Sequence, residues 1–539
     1  MTRRAALLSA VVLFALYMLL SFGNDTRGFL GTDTGGKVAT LRVMHAHHTT
    51  DPDLGYWAQR WDPNGTLHPL YYTNKIGKRW VNVTTLPALY AALPLYDAFG
   101  YRGALVVPML GAVACALGAA ALARRFGARD GRIAFWVVGL ASPVTIYALD
   151  FWEHSVGLAL MAWALVLLLD VAERRRALLY ALGAGLLLGA AATMRTEALA
   201  YGAVATAIVC LYTVRREIRY AVALGALVTA GLAVPLVANL ALERAVLGSS
   251  LRAERATGTV SLAAASGAAN RVEEAGVTSL SLNGDGEPAT LLIGAVAVGA
   301  IAAAALRRDW RLLLVPAALY LVRALSSFGF VPGFLMAAPI GAVGLALGWR
   351  RGPPARLAGA AAVLALPVVW ATQFTGGAAP QWGGRYVLLT SLVLGVLGIA
   401  SLDEVGRAVR VGVVALAVAV TAFGLGWMQQ RTHDVAKSAQ QLERLPEPIL
   451  VSRIAHLVRE GGAVHDMRRW LTALSAADLR RVAVIADATG ADRIAVVDFA
   501  DAREPRRIGA LEKDSTTRVV RFVHGVPLRI WSYSRPNRT

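Results

Sequence analysis

Four short stretches of this sequence carry residue types that do chemistry. The first is Gly31-Thr-Asp-Thr-Gly-Gly-Lys37, which follows residues 5–22, an uncharged apolar run long enough to cross a bilayer at ~1.5 Å per residue. Asp33 therefore sits at a membrane–water boundary. An acid there suits a general base that deprotonates a water-soluble hydroxyl while a lipid-borne reactant lies alongside, and partial dehydration raises its basicity. Thr32-Asp33 equally suits the cap of a helix starting near Thr34. Lys37 is a cation within reach of a phosphate, and Asp25, beside Asn24 and Arg27, reads as a solvated turn.

The second stretch is Asp150-Phe-Trp-Glu-His154. Two acids and an imidazole so close together can share a proton or hold a divalent ion, or Asp150 can cap the helix that Glu153 and His154 enter. The third is Arg195-Thr-Glu197, at a tight turn between two apolar runs. Arg195 lies on the side that short basic clusters avoid, so it needs an anionic partner: a phosphate held by two oxygens, or Glu197 in a buried pair. The fourth is Gln381-Trp-Gly-Gly-Arg385-Tyr386. Gly383-Gly384 lets backbone approach a ligand, Trp382 and Tyr386 suit an interfacial belt or a sugar face, and Arg385 is a second anion ligand. Arg323 is a weaker third cation. His45, His47, His48 and His68 lack the spacing of a zinc helix, so no metal site is expected, although a divalent cation is left open.

Composition decides what kind of elements position these residues. Of 539 residues, 56% are hydrophobic and 17% charged, with mean hydropathy +0.51, against about 45–50% and 25% in soluble domains. That excludes an ordinary soluble enzyme. A net charge of +19 would suit nucleic acid, but the arginines fall in short clusters between apolar runs, so no nucleic-acid partner is expected. Cys115 and Cys210, both inside apolar runs, give no disulfide framework and no Cys-rich zinc site. Arg3-Arg4 opens the first run as in a signal peptide, yet no small-x-small cleavage site follows, which predicts an uncleaved first helix.

Apolar runs fall at 5–22, 102–123, 132–149, 155–171, 177–194, 198–214, 221–242, 289–306, 312–327, 331–348, 357–374, 386–401 and 411–428. They predict a mainly α, polytopic transmembrane bundle of about thirteen spans over residues 1–430. With Arg3-Arg4 in the cytoplasm, alternation puts every short Arg cluster inside, as membrane topology requires. Residues 23–101, the Asp150–His154 and Arg195–Glu197 turns, loop 244–288, residues 373–385 and the C-terminus then lie outside. The apolar piece 81–99 carries Pro87, Pro94 and Asp97 and must lie in the interface, so 23–101 is expected to be an external cap with interfacial helices. Loop 244–288, rich in Ala, Ser and Gly, is expected to be mobile.

Past residue 430 charges run throughout, and residues 431–539 read as a soluble extracytoplasmic α/β domain. Residues 449–452 and 493–499 are expected strands, 453–460 and 475–489 helices, the latter capped by Ser475. Residues 518–524 and 527–533 form a closing hairpin about Gly525. No Gly-rich nucleotide fingerprint opens a helix, and no repeat recurs at a fixed period.

The acid after the first span, the acid–His cluster after the third, the Arg-x-Glu turn and Gln-Trp-Gly-Gly-Arg-Tyr before a late span give the chain a resemblance. Over roughly residues 1–430 it resembles the GT-C superfamily of integral-membrane glycosyltransferases, nearest the bacterial mannosyl-, arabinosyl- and aminoarabinosyltransferase-like branch. The resemblance implies a polyprenyl-phosphate sugar as donor, Asp33 as catalytic base, and Arg195 and Arg385 on the donor phosphate. Lys37 and Arg323 join that phosphate set, Asp150, Glu153 and His154 are candidates for proton handling, and Glu197, Trp382 and Tyr386 for substrate binding. Two departures from the superfamily stand out: Asp51-Pro-Asp53 lies well beyond Asp33, and no Trp-Trp-Asp motif occurs.

The chemistry agrees with the resemblance. Cations stabilise charge developing on a phosphate leaving group, an acid deprotonates the acceptor hydroxyl, and direct displacement inverts the anomeric centre. The expected partners are the lipid-linked donor, a glycan or glycolipid acceptor and membrane lipids; no organic cofactor is expected. A lipid-linked-glycan flippase, or a polymerase or ligase using a lipid-pyrophosphate donor, are the rival readings, and a transporter would show paired repeats with broken midplane spans. A non-catalytic scaffold would leave Asp33 and the outer arginines unexplained. The Ala, Gly, Val, Leu and Arg bias points to a bacterial plasma membrane, with the site on the cell-wall side.

Overall fold

The computed structural model describes residues 2–82, 85–174, 177–251, 267–283, 286–326, 331–373, 382–462, 465, 468–522 and 526–536. The chain divides into two compact units. One comprises Met1–Leu20, Leu105–Leu242 and Arg252–Trp427, the other Ser21–Ala104, Glu243–Leu251 and Met428–Thr539.

The first unit is helical. Among the described residues, eight helices are long and apolar enough to cross a membrane: Arg3–Ser21, Val106–Arg125, His154–Ala172, Glu197–Val214, Ile218–Leu247, Pro288–Arg307, Pro353–Thr372 and Arg407–Glu443. Each coincides with an expected span. The other five expected spans are shorter or broken, so thirteen is not confirmed as a count of crossings. Residues 132–149 split into Arg132–Leu140 and Pro143–Ala148, because Pro143 lacks an N–H and starts a new helix. Ser142 caps that helix, accepting from the Val144 N–H at 3.2 Å. Residues 331–348 contain the helices Phe334–Ala337 and Ile340–Leu347, separated at Pro339. Tyr180–Met194, Leu314–Ser326 and Leu388–Ser401 have 15, 13 and 14 residues, short of the ~20 that a bilayer needs.

Val106–Arg125 and His154–Ala172 pack at the centre of this unit, while Arg3–Ser21 exposes Leu7, Leu8 and Leu19. An apolar exterior around a packed centre is what a hydrocarbon solvent demands. The basic clusters gather at one end. Arg125 grips Asp170 through two hydrogen bonds at 2.5 and 2.6 Å, Arg174 pairs with Glu217 at 2.6 Å, and the Tyr212 hydroxyl donates to Glu173 at 3.0 Å. Asp150–His154 and Arg195–Glu197 lie at the opposite ends of the same helices.

The second unit is built on a six-stranded sheet. With β1 (Thr73–Ile76), β2 (Arg79–Asn82), β3 (Ile449–Ser452), β4 (Arg469–Thr472), β5 (Arg493–Phe499), β6 (Arg507–Ile508), β7 (Leu511–Arg521) and β8 (Pro527–Ser534), the order is β4-β3-β5-β8-β7-β6. Strands β4, β3 and β5 are parallel and the rest antiparallel. The helix Ala476–Ala488 starts at a capping box in which Ser475 and Asp478 satisfy each other's backbone N–H. The closing hairpin is β7–β8, and its expected turn residue, Gly525, lies outside the described residues.

The segment expected to form a separate cap shares both cores of this unit. Tyr56, Leu67 and Trp80 pack with Val451, Leu471 and Trp531 on one face of the sheet, and Leu54 and Leu70 with Leu442, Leu450 and Trp470 on the other. The Thr472 N–H donates to the Leu67 carbonyl at 2.9 Å and Trp57 Nε1 to the Trp470 carbonyl at 2.9 Å. Residues 81–99 become β2 and the helix Leu86–Ala104 of the same unit. Of the loop expected to be mobile, 252–266 lies outside the described residues, while Ala268–Leu280 is a helix.

Candidate functional site

Asp33 lies in the first turn of the helix Thr32–Ala46, whose N-cap is Gly31, without a side-chain capping bond. The N-cap position thus falls one residue before Thr32 and two before Asp33. Its carboxylate, about a third exposed, pairs with the buried Arg459 guanidinium at 3.0 Å. Arg459 also donates to Asn82 Oδ1 at 3.5 Å and stands 5.1 Å from the Tyr72 ring. The sequence permits this approach at Gly35, where an added Cβ would fall 1.8 Å from the Arg459 carbonyl oxygen. Arg431 donates to the Leu30 carbonyl at 2.6 Å and pairs with Glu460, fixing the chain on either side. Burial, reinforced by the Arg459 cation and opposed by Asp33, holds the His456 imidazole below its ordinary range. Lys37 is buried in the same helix as Asp33.

The first unit assembles a second cluster from three of the stretches singled out above. Arg195 ends the helix Tyr180–Met194 and Glu197 opens the next. The Arg195 guanidinium pairs with Glu197 at 2.9 Å and with Glu153 at 3.4 Å, all three side chains buried. Its Cζ is 5.2 Å from the Tyr386 ring, and that of Arg385 is 4.8 Å from the same ring. His154 stacks on Tyr147 at 5.0 Å, and Trp152 lies 5.4 Å from Tyr147. The buried pair with Glu197, one of the two readings of this turn, is what forms, with Glu153 as a second partner. Asp150 is fully buried in the turn, and the N-cap position of His154–Ala172 belongs to Glu153, which makes no capping bond.

Three buried donors in this cluster, Tyr147 Oη, Trp152 Nε1 and Arg195 Nη2, have no hydrogen-bond partner among the described residues. Leaving such groups unpaired costs ~1–3 kcal/mol each, and beside them Glu197 Oε2 is a buried acceptor with no hydrogen-bond partner among the described residues. Nearby, a narrow apolar cleft is lined by residues including Val137, Pro143, Val144, Leu158, Ile340 and Leu388. Gly383 and Gly384, at φ +74° and +66°, make the turn that carries Arg385 to the cluster; a Cβ on Gly383 would meet Pro143 at 2.7 Å. Gly383 packs closely on Pro143, and Gly384 on Val387 and Thr278.

Other sequence expectations meet different surroundings. Trp382 is no open sugar face: it is fully buried, 5.8 Å from the Trp427 ring and packed on Gly424. Its size and apolar ring serve the core there. Gln381 lies outside the described residues. Arg323 is half-buried on Leu314–Ser326, a helix packed mainly on Pro288–Arg307. His45 bonds to Asp97 at 2.8 Å, whereas His68 is buried against Trp80. Among the described residues, no group of three or more His, Cys, Asp or Glu side chains is arranged to hold a metal ion.

Across 97–98% of its length the chain superposes on ArnT from Cupriavidus metallidurans. The undecaprenyl phosphate-bound form gives a TM-score of 0.53 at 13% identity, covering 97% of both chains. The apo form gives 0.54 at 14%, covering 98% of both. The chain has the ArnT fold. A bundle of apolar helices with a sheet-containing unit is the fold class expected from the sequence, and with its apolar helices the chain is a multi-pass membrane protein. An oligosaccharyltransferase of Archaeoglobus fulgidus is a looser likeness, with a TM-score of 0.46 at 12% identity, covering 91% of this chain and 69% of that one. No protein-family profile and no curated protein matches the sequence.

Sequence reasoning missed Arg459, Tyr72, His456 and Tyr147. The Tyr71-Tyr72 doublet and the His456-x-x-Arg459 spacing were visible, but nothing local ties either to Asp33.

Proposed function

We propose that this chain is a membrane glycosyltransferase that moves one sugar from a polyprenyl-phosphate donor to a hydroxyl of a cell-envelope glycan or glycolipid. The observation that carries the reading is the set of unpaired donors on Tyr147, Trp152 and Arg195 beside an apolar cleft. A phosphate on a prenyl chain meets both demands, and ArnT binds undecaprenyl phosphate with the same fold.

In this reading Arg385 and the free Nη2 of Arg195 hold the donor phosphate, with Lys37 and Arg323 as further cations. Asp33 takes the acceptor hydroxyl proton as that oxygen attacks the anomeric carbon. The carbon–oxygen bond to phosphate breaks with its electron pair left on phosphate oxygen, which the cations stabilise. Polyprenyl phosphate leaves and the anomeric configuration inverts. Glu153 and Glu197 hold Arg195 in place, and Tyr386 supports both arginines. Asp150 and His154 lie beside them as proton-handling groups. The N-terminus is cytoplasmic and the C-terminal segment extracytoplasmic.

The test is transfer of labelled sugar from polyprenyl-phosphate mannose or arabinose to an envelope fraction by the purified protein. Asp33→Asn should lower turnover by ~10²–10⁴-fold while the protein stays folded by circular dichroism, with an unfolding midpoint lowered because Arg459 loses its carboxylate partner. No transfer by the wild type from either donor would overturn the donor assignment. Wild-type turnover in Asp33→Asn would remove Asp33 from the base role.

A further inference from the structure

Beside Asp33 the second unit presents a pair of aromatic rings that its core does not use. Tyr71 and Tyr72 are 38% and 41% exposed, with ring centroids 4.5 Å apart and planes at 60°. Tyr72 has φ +62°, a left-handed conformation that is costly for a bulky residue and that recurs where function requires it. His456 meets Tyr71 edge-on at 4.9 Å and lies 5.8 Å from Tyr72. Its buried Nδ1 has no hydrogen-bond partner among the described residues. Asn82 Nδ2 donates to the Tyr71 carbonyl at 3.3 Å and to Thr73 Oγ1 at 3.1 Å, anchoring the doublet to the strand beneath it. Arg459, packed against Tyr72, links the rings to the candidate base.

The geometry points to an acceptor subsite for a neutral sugar ring, formed by Tyr71, Tyr72 and His456 around Asp33; this rests on the proposed role of Asp33. Exposed aromatic faces bind the C–H face of a sugar ring, and a phenol or imidazole at the rim bonds its hydroxyls. Charge favours a neutral ligand over a phosphate, because the Arg459 cation already pairs with Asp33. The C-terminal segment supplies His456 and Arg459 and so becomes part of the acceptor site. Arg459 is a positioning residue for Asp33.

Tyr72→Gly tests this cleanly, since it removes the ring and relieves the left-handed strain. It is assayed beside Tyr71→Ala, Tyr72→Phe and Asp33→Asn, with polyprenyl-phosphate mannose and arabinose as donors. Two acceptor probes, the solvent-extracted envelope glycolipids and the insoluble envelope glycan, distinguish the sources of the sugar. In Tyr72→Gly and Tyr71→Ala the half-saturating amount of the acceptor used should rise roughly tenfold. Donor half-saturation should be unchanged, and Tyr72→Phe should stay near wild type. Unchanged acceptor saturation in both ring-deleted variants, with Asp33→Asn inactive, overturns the subsite alone. Wild-type transfer by Asp33→Asn overturns the base and the subsite together.

Discussion

Replacing Arg195 with Gln removes one cation from between two buried carboxylates. The Arg195, Glu153 and Glu197 side chains are only 9%, 7% and 3% exposed, so water cannot take over as counter-ion. Removing one member of a buried ion pair costs about 3–5 kcal/mol, because the charge left behind has lost its compensation. Two carboxylates are stranded here, which puts Arg195→Gln at the upper end of that range. The assay is detergent-titrated unfolding followed by tryptophan fluorescence, with Arg195→Gln/Glu197→Gln as the second arm of a double-mutant cycle. The double variant should recover part of the loss, since one stranded charge is gone. It should not recover turnover if the Nη2 of Arg195 also holds donor phosphate. An Arg195→Gln protein within about 1 kcal/mol of wild type would refute the reasoning, because the cluster would then behave like a solvated pair.

Two further outcomes follow from the second unit. Burial, followed by the neighbouring His465, depresses the His68 imidazole from its ordinary 6.5 to about 3. Below pH 6.5 the unfolded chain binds a proton that the folded one refuses, so stability falls as pH drops towards 3, by up to ~3 kcal/mol at pH 4. His68→Phe should flatten the plot of unfolding midpoint against pH over that window, and an equally steep plot would exclude His68 as the cause. Gly35→Ala places a methyl 1.8 Å from the Arg459 carbonyl oxygen, so backbone must move. The Asp33–Arg459 pair should break, with turnover lost and limited proteolysis between residues 453 and 462 increased. A proteolysis pattern like that of wild type would show that the approach is not tight.

How much was legible in the sequence differs between the two clusters. The gathering of Asp150–His154, Arg195–Glu197 and Arg385–Tyr386 could be read because membrane topology is a strong local code: each stretch lies at a helix end, and the Arg clusters fix which end. Whether Arg195 met an acid or a phosphate could not be read, because Glu153 reaches it across a helix pair. Trp382 misled because a Trp before a span suits an interface as well as a core, and only the neighbouring Trp427 and Gly424 decide. The broken spans were written in Pro143 and Pro339, but apolar runs alone read through them. The partners of Asp33 were illegible because Arg459 lies more than four hundred residues away, and side-chain periodicity carries no information at that range. For the same reason the β-sheet looked like a domain of its own, although residues 54–80 fill both of its faces.

That shared core has a consequence for biosynthesis. Strands β3 to β8 are made long after Trp80, Leu67 and Leu54, which pack with their apolar side chains. The early segment must therefore wait until those strands have been made, and a nonsense mutation as late as residue 449 would leave Asp33 without Arg459. The core around Asp33 is therefore completed only after residues 449–534 have been made.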